Sequence, residues 1–291
     1  YFVIMPWVAK LRIGHYFNIL VSIGLLTGAF WLTYSAKMED ATNANYIAAG
    51  EQAHEKAQRA VELASGPMGI PEQGALHLLH HDPKTLGPIL FAAHCSSCHR
   101  FDGHDGTGNV PLDTSSAPDL KDFASRAWLT DLLKPEHIAT KRYFGETAFR
   151  NGDMVRFVNK KVSQFDKEEK LALERAIKAL SAEAGLSRQA EVEEVETDLI
   201  VLGKEDLGYE LGCSDCHAFH FEDDDADGPD LTGYGSREWM KSFISDPGQK
   251  RFYGENNDRM PSFLTEGILT PTEIGLLVDW LRQDWYEPLP K

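Results

Sequence analysis

All four cysteines of this 291-residue chain fall in two copies of one spacing. Residues 94–100 read HCSSCHR, and residues 213–217 read CSDCH. Two thiols three residues apart, with an imidazole directly after, must face one object from one side of a short turn. No cysteine is left for a disulfide framework, so cysteine usage does not report a redox compartment. Each pair opens one copy of a longer repeat. APDLKDFASRAWLTDLLKP at 117–135 answers GPDLTGYGSREWMKSFISDP at 228–247. Pro118/Pro229, Asp119/Asp230, Leu120/Leu231, Ser125/Ser236, Arg126/Arg237 and Trp128/Trp239 coincide without a gap. YFGE at 143–146 then answers FYGE at 252–255, and a Met follows each, Met154 and Met260. Both copies end in a helical pattern. In DKEEKLALERAIKAL at 166–180, Leu171, Leu173, Ile177 and Leu180 are apolar. TPTEIGLLVDWL at 270–281 opens on a Thr/Pro/Glu start signal. No useful strand-like alternation occurs, which predicts an all-α fold.

Ahead of the repeats, residues 17–36, FNILVSIGLLTGAFWLTYSA, carry no charge. As a helix they rise about 30 Å, the thickness of a bilayer's hydrocarbon core. Lys10, Arg12 and His15 precede the run, and Glu39 and Asp40 follow it. The positive-inside rule then places the rest of the chain outside the cytoplasmic membrane, on the periplasmic side. A cleaved signal peptide fits less well, because the run is too long and Tyr34 is poorly suited to a cleavage site. A buried core helix is disfavoured because every face is apolar. The chain opens on Tyr1 with apolar YFVIMPWVA, not on Met, so sequence upstream is expected. Residues 40–64 favour helix, with Ala49, Ala53, Ala57, Ala60 and Ala64 on one stripe that would allow close approach of another helix but is thin enough to suit a solvated spacer better. SGPMGIPEQG at 65–74 breaks that helix. These features divide the chain into an anchor at 1–36, a stalk and connection at 37–84, a first unit at 85–184, an acidic linker or surface helix at 185–202 and a second unit at 203–291. The net charge of −16 argues against nucleic acid and is compatible with a basic partner or with plain solubility.

C-x-x-C-H is the attachment signature of c-type haem. The thiols add to the vinyl groups and the His supplies the proximal nitrogen, so Cys95, Cys98 and His99 are expected to hold one haem c, and Cys213, Cys216 and His217 a second. A thioredoxin-like pair has no need of the His, and a zinc site would need the distant pairs to converge. Small electron carriers usually close the other face of the iron with Met or His. Met154 is the only Met of the first unit after its Cys pair. In the second, Met240 occupies the place of Leu129 on a helix and reads as core, which leaves Met260 before Pro261. His104, His137 and His220 are the competing ligands. His94 precedes its Cys, and His77, His80 and His81 lie in the connection.

Each unit resembles a class I cytochrome c domain over about 85–184 and 203–287, with Phe91 and Tyr209 as the aromatic four residues before the first Cys. The resemblance implies that Pro118 and Pro229 accept the proximal His N–H through their carbonyls. It also implies that a terminal helix crosses the first helix of its unit, a part open to 166–180 and 270–284. The anchor, stalk and tandem units resemble the dihaem c portion of bacterial cytochrome bc complexes of the b/c fusion type. That resemblance implies a cytochrome b-type membrane subunit and an iron–sulfur protein as partners, and a soluble or oxidase-bound acceptor. The paired His ligands of b-type haem are absent here, so quinol chemistry would belong to a partner or to upstream sequence. A dihaem subunit of a cbb-type oxidase and a dihaem peroxidase are the alternatives. Two further features stay open. Asp223, Asp225, Asp227 and Gly228 follow the first half of a calcium loop or form an acidic docking surface. Arg126 and Arg237 suit either haem propionates or exposed first-turn positions.

Overall fold

The computed structural model describes residues 12–221, 226–257 and 259–288. The chain divides into two compact bodies near residue 62. In the first, helix α1 spans Arg12–Thr42. Leu20, Leu25, Leu26, Phe30 and Trp31 are all exposed along it. It is long and apolar enough to cross a membrane. Asn43 starts the next helix, its Oδ1 accepting from the Asn45 and Tyr46 N–H groups at 3.0 and 3.2 Å. That helix, α2, runs over Ala44–Ala64 and ends where the Gly/Pro stretch begins, as the composition predicts.

In the second body helices are the regular elements among the described residues, joined by turns and coil, with two isolated bridges, Arg100–Asp119 and Phe101–His104. Its helices are α3 (Ala75–His80), α4 (Pro83–His94), α5 (Arg126–Leu132), α6 (Asp153–Lys160), α7 (Lys167–Glu183), α8 (Ala190–Val195), α9 (Thr197–Glu205), α10 (Arg237–Ser245) and α11 (Pro271–Arg282). The repeat is visible in matched hydrogen bonds. Ser125 and Ser236 cap α5 and α10, each accepting from a Trp N–H at 3.2 Å. The two indoles donate to the carbonyls of Asp119 and Asp230 at 3.1 and 2.9 Å. The N–H groups of Asp119 and Asp230 reach Arg142 O and Arg251 O, both at 2.8 Å. Helices α7 and α11 both begin with a capping box, Asp166 with Glu169 and Thr270 with Glu273.

The terminal helices depart from expectation. Helix α7 packs along α9 and the turn after it, while α11 packs along α4. The crossing expected within each unit is thus made between units. The cause lies in residues 184–196, which are folded and not extended. Gln189 bonds both Ser181 and Glu193, so the chain turns back at the end of α7 and returns along it as α9. Of the stretch read as an acidic linker or surface helix, 190–195 and 197–202 are helical.

Both crossings are made close by glycine. A Cβ on Gly87 would lie 2.2 Å from the Trp280 Cβ, and one on Gly203 would lie 2.0 Å from the Arg175 carbonyl oxygen. Glycine in a helix costs up to about 1 kcal/mol, but here it lets the backbones approach. One core results, in which Phe91, Trp128 and Leu129 pack in the same cluster as Leu207, Trp239 and Leu277. Phe123 and Tyr234, at matched positions, meet with ring centroids 5.3 Å apart. Buried Arg282 closes the join. Its Nη1 donates to Ala184 O and Gly235 O at 2.7 Å, its Nη2 to Gly185 O at 3.0 Å, and its Nε to Asp284 at 2.8 Å. A guanidinium on the two carbonyls just past the end of α7 also opposes the negative end of that helix.

The pairing of Phe91 with Tyr209 is corrected. Phe91 is 0% exposed and Tyr209 is 88% exposed. The residue that enters the core is Leu207, at 2%. Gly203 and Leu207 repeat the Gly87/Phe91 spacing two residues further from the cysteine. A π turn over Asp206–Glu210 and left-handed Gly212 (φ 74°) take up the difference.

Candidate haem sites

Helix α4 runs directly into the first motif, whose turn is closed by Cys98 N–H to Cys95 O at 3.1 Å and His99 N–H to Cys95 O at 2.8 Å. The second motif makes the same turn, with Cys216 N–H and His217 N–H to Cys213 O at 3.2 and 3.0 Å. All four thiols are unpaired and half-buried. Burial pushes Cys95 up to about 12, with Cys98 adding to the effect. Burial likewise pushes Cys213 up to about 11, against the opposing Lys161 ammonium. Both are therefore thiols at neutral pH.

The two imidazoles are held alike. His99 Nδ1 lies 2.7 Å from Pro118 O, and His217 Nδ1 lies 2.7 Å from Pro229 O. A carbonyl only accepts, so Nδ1 carries the proton and the lone pair sits on Nε2. Burial lowers both histidines below their ordinary range, with the proline carbonyls pulling the other way. Each ring is thus neutral at neutral pH, and its Nε2 has no hydrogen-bond partner among the described residues. Two thiols and a nitrogen lone pair in fixed register are the donor set that c-type haem requires, and they fit it at both motifs.

Two residues that the motif alone did not single out complete these turns. Buried Arg100 donates through Nη1 to His99 O at 2.8 Å and through Nη2 to Asp113 O, which pins the 101–117 loop. The second unit has Ala218 in that place and a shorter loop. Gly228 lies against the His217 ring, where a Cβ would fall 2.6 Å from Cε1. Its position just before Pro229 was the available signal.

Met154 is the second residue of α6, and Met260 lies in coil ahead of Pro261. Both are half-buried against the core. The Met260 carbonyl accepts from Asn257 Nδ2 at 2.9 Å. Met240 is buried in the core, as its place in the repeat predicts. Among the competing histidines, His220 Nε2 meets Glu183 at 2.9 Å and His137 Nδ1 meets Asp131 at 2.6 Å. His104 Nδ1 accepts from Gly106 N–H at 3.0 Å. Of the two arginines, Arg237 is forked onto Asp279 at 2.6 and 2.9 Å. Arg126 pairs with Glu196 through Nη1, and its buried Nε and Nη2 have no partner among the described residues. Asp223 and Asp225 of the calcium-like stretch lie outside the described residues.

A Cys pair, a carbonyl-held imidazole and a helical wrap define a c-type haem domain. Residues 85–173 match the cytochrome c family model, so the chain carries a cytochrome c domain, which implies haem c and electron transfer. The second motif, with its matched hydrogen bonds, is consistent with a second haem. No curated protein and no solved structure matches the chain.

Proposed function

We propose that the chain is a membrane-anchored dihaem electron carrier. In this reading it relays electrons from a quinol-oxidising bc-type complex to a soluble or oxidase-bound acceptor on the periplasmic side. The single observation that carries it is the duplicated proximal geometry, with both His Nδ1 groups on proline carbonyls at 2.7 Å. Haem c supplies an iron that alternates between ferric and ferrous without binding substrate. Thioethers from Cys95, Cys98, Cys213 and Cys216 keep it from dissociating. His99 and His217 offer Nε2, and the prolines fix the plane of each ring and tune its basicity. Met154 and Met260 would supply the remaining iron ligands, and thioether ligation would favour the reduced form and leave no open position for peroxide. Helix α1 serves as the anchor, retained and not cleaved, and ties the haems to the membrane that holds the cytochrome b-type subunit and the iron–sulfur protein.

Isolation of the native assembly in mild detergent tests this. The expected result is co-purification with b-type haem and an iron–sulfur protein. Recovery with a copper-containing oxidase instead would assign the chain to a cbb-type oxidase.

A further inference from the structure

We propose that the sixth ligands are exchanged between the repeats, so that Met154 caps the iron held by His217 and Met260 caps the iron held by His99. The inference rests on the reading of each motif as a Met-capped haem site and adds to it which Met serves which iron.

Chain order alone pairs Met154 with His99, because both belong to the first repeat. The packing points to the other pairing. Helix α6 carries Met154 and is eight residues long, about 12 Å. Its two ends fall along the second motif. Asp153, next to Met154, lies within electrostatic reach of Cys216. Lys161, one residue past the other end, places its Nζ 2.7 Å from where a Cβ on Gly212 would stand, immediately before Cys213. Helix α7 follows within a short turn and packs on α9, which leads into that same motif. The segment from Asp153 to Glu183 therefore travels as one body to the second site.

The reciprocal half is consistent. Helix α11 lies on α4, the helix that leads into Cys95. Trp280 stacks on Phe101, just past the first motif, with centroids 4.3 Å apart, and meets Phe91 at 5.4 Å. Glu273, in the first turn of α11, is near His94, the residue before Cys95. Met260 is tied to α11 by ten residues that fold into turns. In each half, then, the residue before the first Cys meets the segment that follows the other repeat's Met.

The test uses the full-length chain with one attachment motif removed (Cys95→Ala with Cys98→Ala), leaving haem only at Cys213 and Cys216. The far-red absorption band of Met-ligated ferric haem is then followed in two further variants. Met154→Ala is expected to abolish the band, and Met260→Ala to retain it. Loss with Met260→Ala, or loss with neither, overturns the exchange. If the parent dihaem protein lacks the band, the Met-capped reading itself fails, and with it the exchange. Should the motif-deleted chain not fold, the intact ferrous dihaem protein gives the same answer by nuclear magnetic resonance. The ring-current-shifted Met154 methyl should show Overhauser contacts to the haem attached at Cys213 and Cys216. Contacts to the haem at Cys95 and Cys98 would overturn the proposal.

Discussion

In the first unit Gly87 and Phe91 meet the incoming terminal helix, and Phe91 sits four residues before its cysteine. In the second, Gly203 and Leu207 hold those places, six residues before the cysteine for Leu207. The first unit reaches its motif by unbroken helix. The second passes through a π turn, with Leu211 N–H bonded to Asp206 O at 3.1 Å, and then left-handed Gly212. The comparison shows that the helix crossing is preserved by a Gly-x-x-x-large pattern and not by distance from the motif. Backbone closeness at the glycine sets the register, and the turn absorbs whatever remains.

The largest expected effect tests this equivalence. Phe91→Ala should destabilise the holoprotein by about 4 kcal/mol, and Leu207→Ala by about 3 kcal/mol, in denaturant titrations. Because each crossing joins the two units, both variants should weaken both haem units together and keep one cooperative transition. Two separated transitions would show that each unit closes on itself.

Next comes the contrast between Arg282 and Lys178, which hold the same place after their N-caps. Arg282 is buried on three carbonyls, whereas Lys178 pairs with Glu196 at 2.8 Å near the surface. Arg282→Met strands buried acceptors and should cost about 3 kcal/mol. Lys178→Met should cost about 0.5 kcal/mol. Equal losses in thermal unfolding would remove Arg282 from its place as the clasp.

Glu183 gives the pH dependence. It ends α7 and accepts from Lys204 at 2.7 Å, His220 at 2.9 Å and the Gly233 N–H at 2.9 Å, all in the second unit. Burial works to raise its pKa, but these bonds outweigh burial and hold the carboxyl below its usual range. A depressed folded pKa contributes stability above the unfolded value, and that stability is lost as pH falls through the folded one. Glu183→Gln should therefore cost about 1 kcal/mol at neutral pH, and the gap from the parent should narrow as the medium is acidified below the ordinary glutamate range. A gap independent of pH would contradict the assignment. The smallest effect belongs to Tyr209→Ala, within about 0.5 kcal/mol, since the ring stands in solvent. A loss matching that of Phe91→Ala would restore the pairing counted from the cysteine.

Much of this was legible in the sequence. The Cys/His spacing, the two prolines, the Ser caps before each Trp and the Thr270–Glu273 start signal all report local geometry, and the structure forms each turn, cap and bond they imply. The position of Met240 in the core followed from the repeat. The exchanged crossing was not legible, because a repeat supplies two similar apolar faces on α7 and α11 and says nothing of which partner each meets. That choice is made by the reversal of the chain at 184–196, whose acidity reads as a linker or surface helix and not as a turn. The Leu207 register was hidden for a related reason. Counting from Cys213 assumes unbroken helix, although Gly203 with Leu207 was there to be found.

The proposed function requires two covalently held haems on one chain, and the mass of the intact, matured polypeptide measures them directly. The account predicts a chain heavier than its amino acids by two haem c groups, with the pigment retained through acidic acetone. A single adduct, or colour that extracts into the solvent, would contradict it.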